Sequence, residues 1–553
     1  MTHRFPNTPV EAVPPTDTLH RLIASEPFPA NIGTFLAEVA ARFGEKTALV
    51  FFEEPADTSD RELSYAALDA RVSCLASGFH KHGIRKGDHV GVMLPNIPPC
   101  PLTWLALLRL GAVMVPVNVR YTARELAYVL KDSDAKFLVM HAEYLPLVDE
   151  LGDARLPDQN FIVVDRPAAA PFADWRTILD SGEAGFTPPA EPKLDDLATI
   201  QYTSGTTGFP KGVMLAHRHW FTFAKIGTAE LRWLGIERTF LAHPFYYMAG
   251  QAVFLFGLHL GATISIAPQL SIRRFMPWMR ETRSQYTLVT NAILKQQLSP
   301  EDQKNDTRFL HVSAAYTREV QEGIERQFGA PVRNLYGMTE NGIAIYVPLA
   351  AGERLSPDFI GVVAPFREVM LADAEGKPVP DGEVGEICVR GPGILQGYYK
   401  KPEANKASYF GEWHRSGDRG LRDKDGYYHF LGRMKDVIRR NNENISGIEV
   451  ETVLLSLKGI ERAAAIPVPD DRKGEELKVC VVLNAGLTTD DLPPDAIIAH
   501  CEKNLATFKV PRFIEYRSEM PLTASDKIEK HKLVKEKPDL RVGAYDREDK
   551  VWR

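Results

Sequence analysis

The chain has 553 residues, 44% of them hydrophobic and 25% charged. That is ordinary globular composition in a length beyond one hydrophobic core, so about three or four domains are expected. A formal net charge of −6 supplies no electrostatic case for nucleic acid or for an anionic membrane surface. In chain order, the opening "MTHRFPNTPVEAVPPTDTLHR" holds no apolar core and is not a signal peptide. From about residue 34 to 350, helical-period segments alternate with short apolar runs. "TFLAEVAARFG" and "SYAALDARVSCLASGFHKHG" read as amphipathic helices, and "HVGVMLP", "VMVPVN", "KFLVMH" and "FIVVD" as buried strands. Such alternation predicts parallel, doubly wound sheets. Two longer apolar stretches, "PLTWLALLRLGAVMVPVNV" and "GQAVFLFGLHLGATISIA", are interrupted by Arg109 and His259 and read as helix then strand, not as membrane spans. From about 360 to 430 the texture turns to β, with Asp425-Gly426 at a hairpin turn. After "GRMKD" a compact α+β segment follows, with "ISGIEVETVLLSL" and "PPDAIIAHCEKNLA" helical and "RAAAIPVPD" and "LKVCVVLNA" as strands. The five cysteines (Cys74, Cys100, Cys388, Cys480, Cys501) contain no CxxC pair and read as free thiols of a reducing, cytoplasmic compartment.

Five stretches carry polar chemistry. "SGTTGFPKGV" (204 to 213) is a loop of glycines and hydroxyls ending in Lys211. Glycines let backbone N–H groups approach a ligand, hydroxyls donate, and a lysine adds a point charge, which suits a polyphosphate. It is not a GxxxxGK[ST] P-loop, because Gly212 follows the lysine where a metal-holding hydroxyl would stand. "NLYGMTENG" sets Thr339 and Glu340 side by side, either as groups for a phosphate and its divalent cation or as a helix N-terminus. "EWHRSGDRG" offers Asp418, which reads as a ribose acceptor or as an ordinary Asx-turn. "GRMKDVIRRNNENISGIEVE" concentrates Arg433, Lys435, Arg439 and Arg440, which alone reads as a solvated basic edge. "PLTASDKIEKHKL" places Lys527 among turn-formers.

In this succession the stretches resemble the adenylate-forming superfamily: acyl- and aryl-CoA synthetases, peptide-synthetase adenylation domains and beetle luciferases. The resemblance spans about residues 34 to 535. "YTSGTTGFPKGV" is similar to the family's phosphate loop, "YGMTE" to its metal-and-substrate motif and "SGD" to its ribose turn. "GRMKD" is similar to its hinge and "SDKIEKHKL" to its lysine motif. "KDVIRRNNENISGIEVE" and "FKVPR" favour CoA ligases over carrier-loading domains. The fold this implies has a large N-terminal domain (1–432) of doubly wound sheets plus a distorted β-barrel. A hinge (433–435) and a small mobile α+β domain (436–553) follow.

The implied chemistry is two half-reactions. A carboxylate attacks the α-phosphorus of MgATP to give acyl-AMP and pyrophosphate, and coenzyme A then takes the acyl group and releases AMP. By the resemblance, Lys527 bridges the carboxylate and the α-phosphate. Thr203, Ser204, Gly205, Thr206, Thr207, Gly208 and Lys211 cradle the outer phosphates. Glu340 holds Mg²⁺, Thr339 bonds the α-phosphate, Asp418 takes the ribose hydroxyls and Arg433 the ribose or phosphate. Adenine lies between Ser313, Ala314, Ala315 and Tyr316 on one side and Tyr336, Gly337 and Met338 on the other. Lys435 is the hinge. The acyl pocket draws on Tyr246, Tyr247, Met248, Gln251, Val312, Gly337, Met338 and Gly342, apolar or aromatic with small residues interspersed, which suggests a medium-sized hydrophobic or aryl acid. Arg318 or His243 is the candidate to neutralise a second carboxylate.

Three departures from the family pattern stand out. Asn441 and Asn442 replace two glycines after the hinge, near the expected pantetheine tunnel. Asp526 replaces the glycine before Lys527, and Tyr247 stands where many relatives carry a gating histidine. Two other readings remain open: an adenylation enzyme that loads a carrier protein, and a phosphotransferase or non-enzymatic nucleotide sensor. The partners expected are a small carboxylic acid, ATP and CoA, with no nucleic acid and no membrane span; a homodimer is left open.

Overall fold

Both long apolar stretches fold as helix then strand. Pro99–Leu110 is followed by Val113–Pro116, and Met248–Leu260 by Thr263–Ile266, with a glycine C-cap closing each helix. No described helix is long and apolar enough to cross a membrane. The structure is a computed structural model that describes residues 8–52, 61–203, 210–289, 291–294, 296–312, 318–351, 356, 358–434, 437–440, 443–470, 474–505, 507–523 and 527–553.

Three sheets organise the chain. The first has eight strands, in the order Gly397–Tyr398, Lys211–Ala216, Leu197–Thr203, Val113–Pro116, His89–Met93, Phe137–His141, Phe161–Val164 and Ala173–Asp174. It is parallel from Leu197–Thr203 onward, as helix–strand alternation requires. The hairpin Leu197–Thr203/Lys211–Ala216 and the short strand Gly397–Tyr398 add an antiparallel edge. The helices Pro99–Leu110, His217–Gly227 and Met248–Leu260 meet in the main core, where Trp104 packs edge-on against Trp220 at 5.5 Å and tilted against Phe254 at 5.9 Å.

The second sheet has fourteen strands. Its first half is mainly parallel and includes Thr263–Ile266, Arg238–Leu241, Tyr286–Val289 and Phe309–Val312. Val332–Met338 makes the transition. Its first residues pair parallel with Phe309–Val312, and its last pair antiparallel with Gly342–Tyr346, across a bulge at Tyr336/Gly337. From there the antiparallel strands Phe359–Val363, Tyr428–Arg433, Trp413–Arg422, Val384–Arg390 and Glu368–Ala372 follow in pairing order. The expected distorted β-barrel is therefore corrected. The β-rich region grows as an open path from an existing sheet edge, and no pairing among the described residues closes it.

The third sheet lies within residues 437–553. Its path is Glu443–Ser446, Val437–Arg440, Gly474–Leu483, Phe513–Tyr516, Tyr545–Asp546 and Val551–Trp552, with Ile460–Asp470 paired on Gly474–Leu483. The helices Gly447–Ser456 and Pro494–Asn504 contribute Val450, Leu454, Ile497 and Ile498 to its core. Arg440 corrects the reading of a solvated basic edge. It is buried, its Nε lies 2.8 Å from Glu476 and its Nη1 donates to the Phe508 carbonyl at 3.0 Å.

Candidate active site

The ends of the glycine- and hydroxyl-rich loop are held opposite each other, because Thr203 pairs with Lys211 across the hairpin. Tyr128 donates to the Pro210 carbonyl at 2.8 Å, and Tyr202 donates to Asp132 at 2.9 Å, so the base of the hairpin is pinned from the upstream helix Ala123–Asp132. Burial, then Asp132, holds the Tyr202 phenol far above its usual range. Ser204, Gly205, Thr206, Thr207 and Gly208 lie outside the described residues, as do Ser313, Ala314, Ala315, Tyr316, Lys435, Asn441, Asn442 and Asp526.

Thr339 and Glu340 stand in the turn between Val332–Met338 and Gly342–Tyr346. A hairpin tip, not a helix N-terminus, presents them. Gly337 makes the hairpin's close approach possible, since a Cβ there would lie 2.0 Å from the Gly342 carbonyl oxygen. The Glu340 carboxylate accepts from the Tyr398 hydroxyl at 2.9 Å, and its carbonyl accepts from the Leu395 amide at 2.7 Å. Tyr398 also carries the Lys211 ammonium 4.9 Å above its ring. Through Tyr398 the end of the glycine- and hydroxyl-rich loop and the acidic turn therefore belong to one cluster. Sequence reasoning missed Tyr398. The aromatic pair in "GYYKKP" is an available signal, but 58 residues separate it from Glu340.

Asp418 sits inside the strand Trp413–Arg422, not in an Asx-turn. It is 3% exposed, accepts from the Tyr336 hydroxyl at 2.7 Å, and lies 2.8 Å from the Arg433 Nε. Its own amide donates to Ser416 Oγ at 3.0 Å. Burial and then the Asp418 charge push the Tyr336 phenol well up. The tilted ring pair Tyr336 and Phe430, 5.7 Å apart, forms an apolar flank beside this carboxylate.

Lys527 arrives from the third sheet's part of the chain. The bridge Leu522–Ile528 and the bonds Lys527 N to Thr523 Oγ1 (3.1 Å) and Thr523 N to the Lys527 carbonyl (2.8 Å) hold its backbone against Thr523. Its side chain is exposed to solvent. Desolvation lowers its pKa, Arg433 lowers it further, and Asp418 opposes both. The structure thus brings Asp418, Arg433 and Lys527 within electrostatic reach of one another.

On the acyl side, Tyr246 and Tyr247 pack edge-on at 4.7 Å, and Asn118 donates to the Tyr247 hydroxyl at 3.2 Å. Gln251 is fully buried and donates to the Phe245 carbonyl at 2.8 Å, Gln201 donates to the Tyr246 carbonyl at 2.9 Å, and Asn96 bonds His243 and Phe245 backbone at 3.0 Å each. Four buried amides thereby hold the Tyr246–Tyr247 turn; of these Asn96, Asn118 and Gln201 were not singled out in the sequence. Val312 is buried, Met248 half-buried, and the partly exposed Phe223 lies 3.4 Å from the Cβ direction of Gly342. His243 does not supply a cation for a second carboxylate: burial drives its imidazole down to about 4. Arg318 is engaged by Glu322 at 3.0 Å.

The donor chemistry fits Mg²⁺ held together with phosphate oxygens. Among the described residues no three His, Cys, Asp or Glu side chains converge. The turn instead offers one carboxylate and one hydroxyl, both hard oxygen donors.

Residues 36–399 match the family described as AMP-binding enzyme, and residues 449–527 match the AMP-binding enzyme C-terminal domain. Crotonobetaine/carnitine–CoA ligases of Salmonella are similar over nearly the whole chain. The protein of Salmonella paratyphi A is 30% identical over 516 residues, covering 91% of this chain and 98% of that relative. That of Salmonella agona is 31% identical over 518 residues, with the same coverage. Among solved structures, the anthranilate CoA ligase AuaEII in complex with anthranoyl-AMP superposes with a TM-score of 0.82 at 23% identity, covering 93% of this chain and 98% of its own. ATP-bound MatB from Rhodopseudomonas palustris gives 0.80 at 24% identity, covering 92% and 99%. At such identities these two show the fold. With a family match over more than half its length and relatives aligned nearly end to end, the chain belongs to the AMP-binding enzyme family and is an AMP-forming acid–CoA ligase.

Proposed function

We propose that this ligase activates a medium-sized hydrophobic or aryl carboxylic acid, with Lys527, Arg433, Asp418, Glu340, Thr339 and Lys211 as its working residues. The observation that carries the assignment is the convergence of Lys527 on the Asp418–Arg433 pair, two cations against one carboxylate. The surplus positive charge suits an adenylate whose α-phosphate gains negative charge during attack. Asp418, already holding Arg433 and Tyr336, takes the ribose hydroxyls. Tyr336 and Phe430 flank the adenine.

The acid needs no general base, because it is ionised at neutral pH. Lys527 draws it to the α-phosphorus and holds the charge that forms there, while Thr339 donates to the same phosphate. Glu340, together with phosphate oxygens, would hold Mg²⁺, which would supply positive charge beside the outer phosphates. Lys211 and the loop it ends retain the outer phosphates. For the second half-reaction we take 1–432 and 436–553 as two domains and 433–435 as the joint between them. Rotation about Lys435 then removes Lys527 and opens the acyl carbonyl to the CoA thiol. Tyr246, Tyr247, Met248, Phe223 and Val312 supply an apolar, aromatic wall, and His243, held neutral by burial, adds no charge to it. The free cysteines, four of them buried, support a reducing, cytoplasmic setting.

A panel of carboxylic acids tests this, with ATP, CoA and a pyrophosphate readout and with carnitine, crotonobetaine and anthranilate included. Hydrophobic or aryl acids are expected to give AMP, pyrophosphate and a thioester. Discharge of the adenylate only by a phosphopantetheinylated protein would overturn the CoA assignment, and ADP formation would overturn adenylation.

A further inference from the structure

Beneath the Thr339–Glu340 turn lies a buried cation with no carboxylate partner among the described residues. Arg367 is 6% exposed, and every bond its guanidinium makes there goes to a backbone carbonyl. Nε and Nη2 donate to the Asn341 carbonyl at 3.1 and 2.8 Å, and Nη1 donates to Pro392 at 2.6 Å and to Phe366 at 3.2 Å. Desolvation brings its pKa down to about 9. The residue before it, Phe366, is held at φ 63°, uncommon for a bulky side chain. Gly391 comes so near the Phe366 carbonyl that a Cβ would sit 2.2 Å from its oxygen.

These contacts join two separate segments. Asn341 belongs to the turn that carries Glu340, and Pro392 opens the segment that runs to Tyr398. The same segment grips Glu340 twice more, through the Leu395 amide on its carbonyl and the Tyr398 hydroxyl on its carboxylate. A guanidinium suits this geometry because its planar fork reaches acceptors on two segments at once; an ammonium on a flexible stem does not fix both directions.

We propose that Arg367 is a positioning residue that locks the Glu340 turn to the Pro392–Tyr398 segment and thereby aims the Glu340 carboxylate at the metal–nucleotide complex. The inference rests on Glu340 as the Mg²⁺ ligand. Losing Arg367 removes three donors from the Asn341 and Pro392 carbonyls and lets the turn slide relative to Tyr398. The direct contacts of the nucleotide with Asp418, Arg433 and the phosphate loop are left in place.

The test is equilibrium binding to the full-length chain, measured calorimetrically with ATP in excess Mg²⁺ and with ATP in chelator. Arg367→Met and Arg367→Lys are each expected to weaken MgATP binding roughly tenfold or more, the usual effect of removing a partner one layer behind a metal ligand. Metal-free ATP binding should stay within about twofold. A purely structural role would weaken both forms alike, and that result, or no change in either, overturns the inference. Full recovery of MgATP binding in Arg367→Lys also overturns it, since charge alone would then suffice. Should Arg367→Met fail to fold, Tyr398→Phe keeps the ring and removes only the hydroxyl on Glu340. Combined with Arg367→Lys, it should give less than the sum of the single effects, because both act on one carboxylate; additivity overturns the inference. Glu340→Gln, measured in parallel, separates the two levels. If it leaves the preference for MgATP intact, the metal reading itself fails. If it abolishes the preference while the Arg367 variants keep it, only the role of Arg367 fails.

Discussion

Arg433 stands directly opposite Asp418 across two antiparallel strands, its Nε 2.8 Å from the carboxylate. The pair joins the proposed ribose position to the last described strand before residue 435, so the proposed nucleotide site and the proposed joint share one ladder. Lys527 feels both members of the pair from a segment more than ninety residues downstream.

Lys527→Ala should slow acyl-adenylate formation by at least about a hundredfold, as removal of a transition-state charge contact does. Thioester formation from supplied acyl-AMP should change little. Both half-reaction rates are measured on one purified variant; equal loss in the two would show that Lys527 does not act in adenylation.

The lowered pKa of Lys527 has a definite sign in the rate. Its ammonium is lost as pH rises through a value below the ordinary 10.5, because burial and Arg433 outweigh Asp418. Adenylation should therefore fall on the alkaline side earlier than an ordinary lysine would allow. Lys527→Arg, charged throughout, should lose that alkaline limb even if its rate is lower, and a limb unchanged in this variant would assign the titration to another group.

Lys435→Pro should divide the half-reactions in the other direction. Proline fixes φ near −65° and hinders the rotation a hinge requires. Pyrophosphate exchange should persist while thioester formation falls steeply. Parallel loss of both, in a protein with unchanged circular dichroism, would move the hinge elsewhere.

Arg440→Met should destabilise the 437–553 region by about 3 kcal/mol, since removing one partner leaves Glu476, 0% exposed, with weaker compensation from Arg512 at 3.7 Å. Urea unfolding of the full-length chain followed by far-UV circular dichroism reads this, and a midpoint equal to that of the unsubstituted chain would make the pair dispensable.

Local chemistry was legible in the sequence wherever it depends on neighbours in the chain. Helix–strand alternation, the Asp425-Gly426 hairpin, the helix-then-strand reading of the apolar stretches and the succession of polar loops all rest on side-chain period, turn chemistry or close spacing. The tertiary structure decided what depends on register between distant strands. The bulge at Tyr336/Gly337 turns a parallel sheet into an open antiparallel path where a barrel was expected. Pairing of Gly397–Tyr398 with Lys211–Ala216 brings Tyr398 onto Glu340, and packing drives Arg367 beneath the same turn. Periodicity reports which face of an element is buried and not what lies against it, so Tyr398, Arg367 and the amides of Asn96, Asn118 and Gln201 carried no local mark of their partners. Asp418 is the intermediate case: its residue type was readable as a ribose acceptor, but only the strand opposite supplied Arg433 and fixed where the carboxylate points.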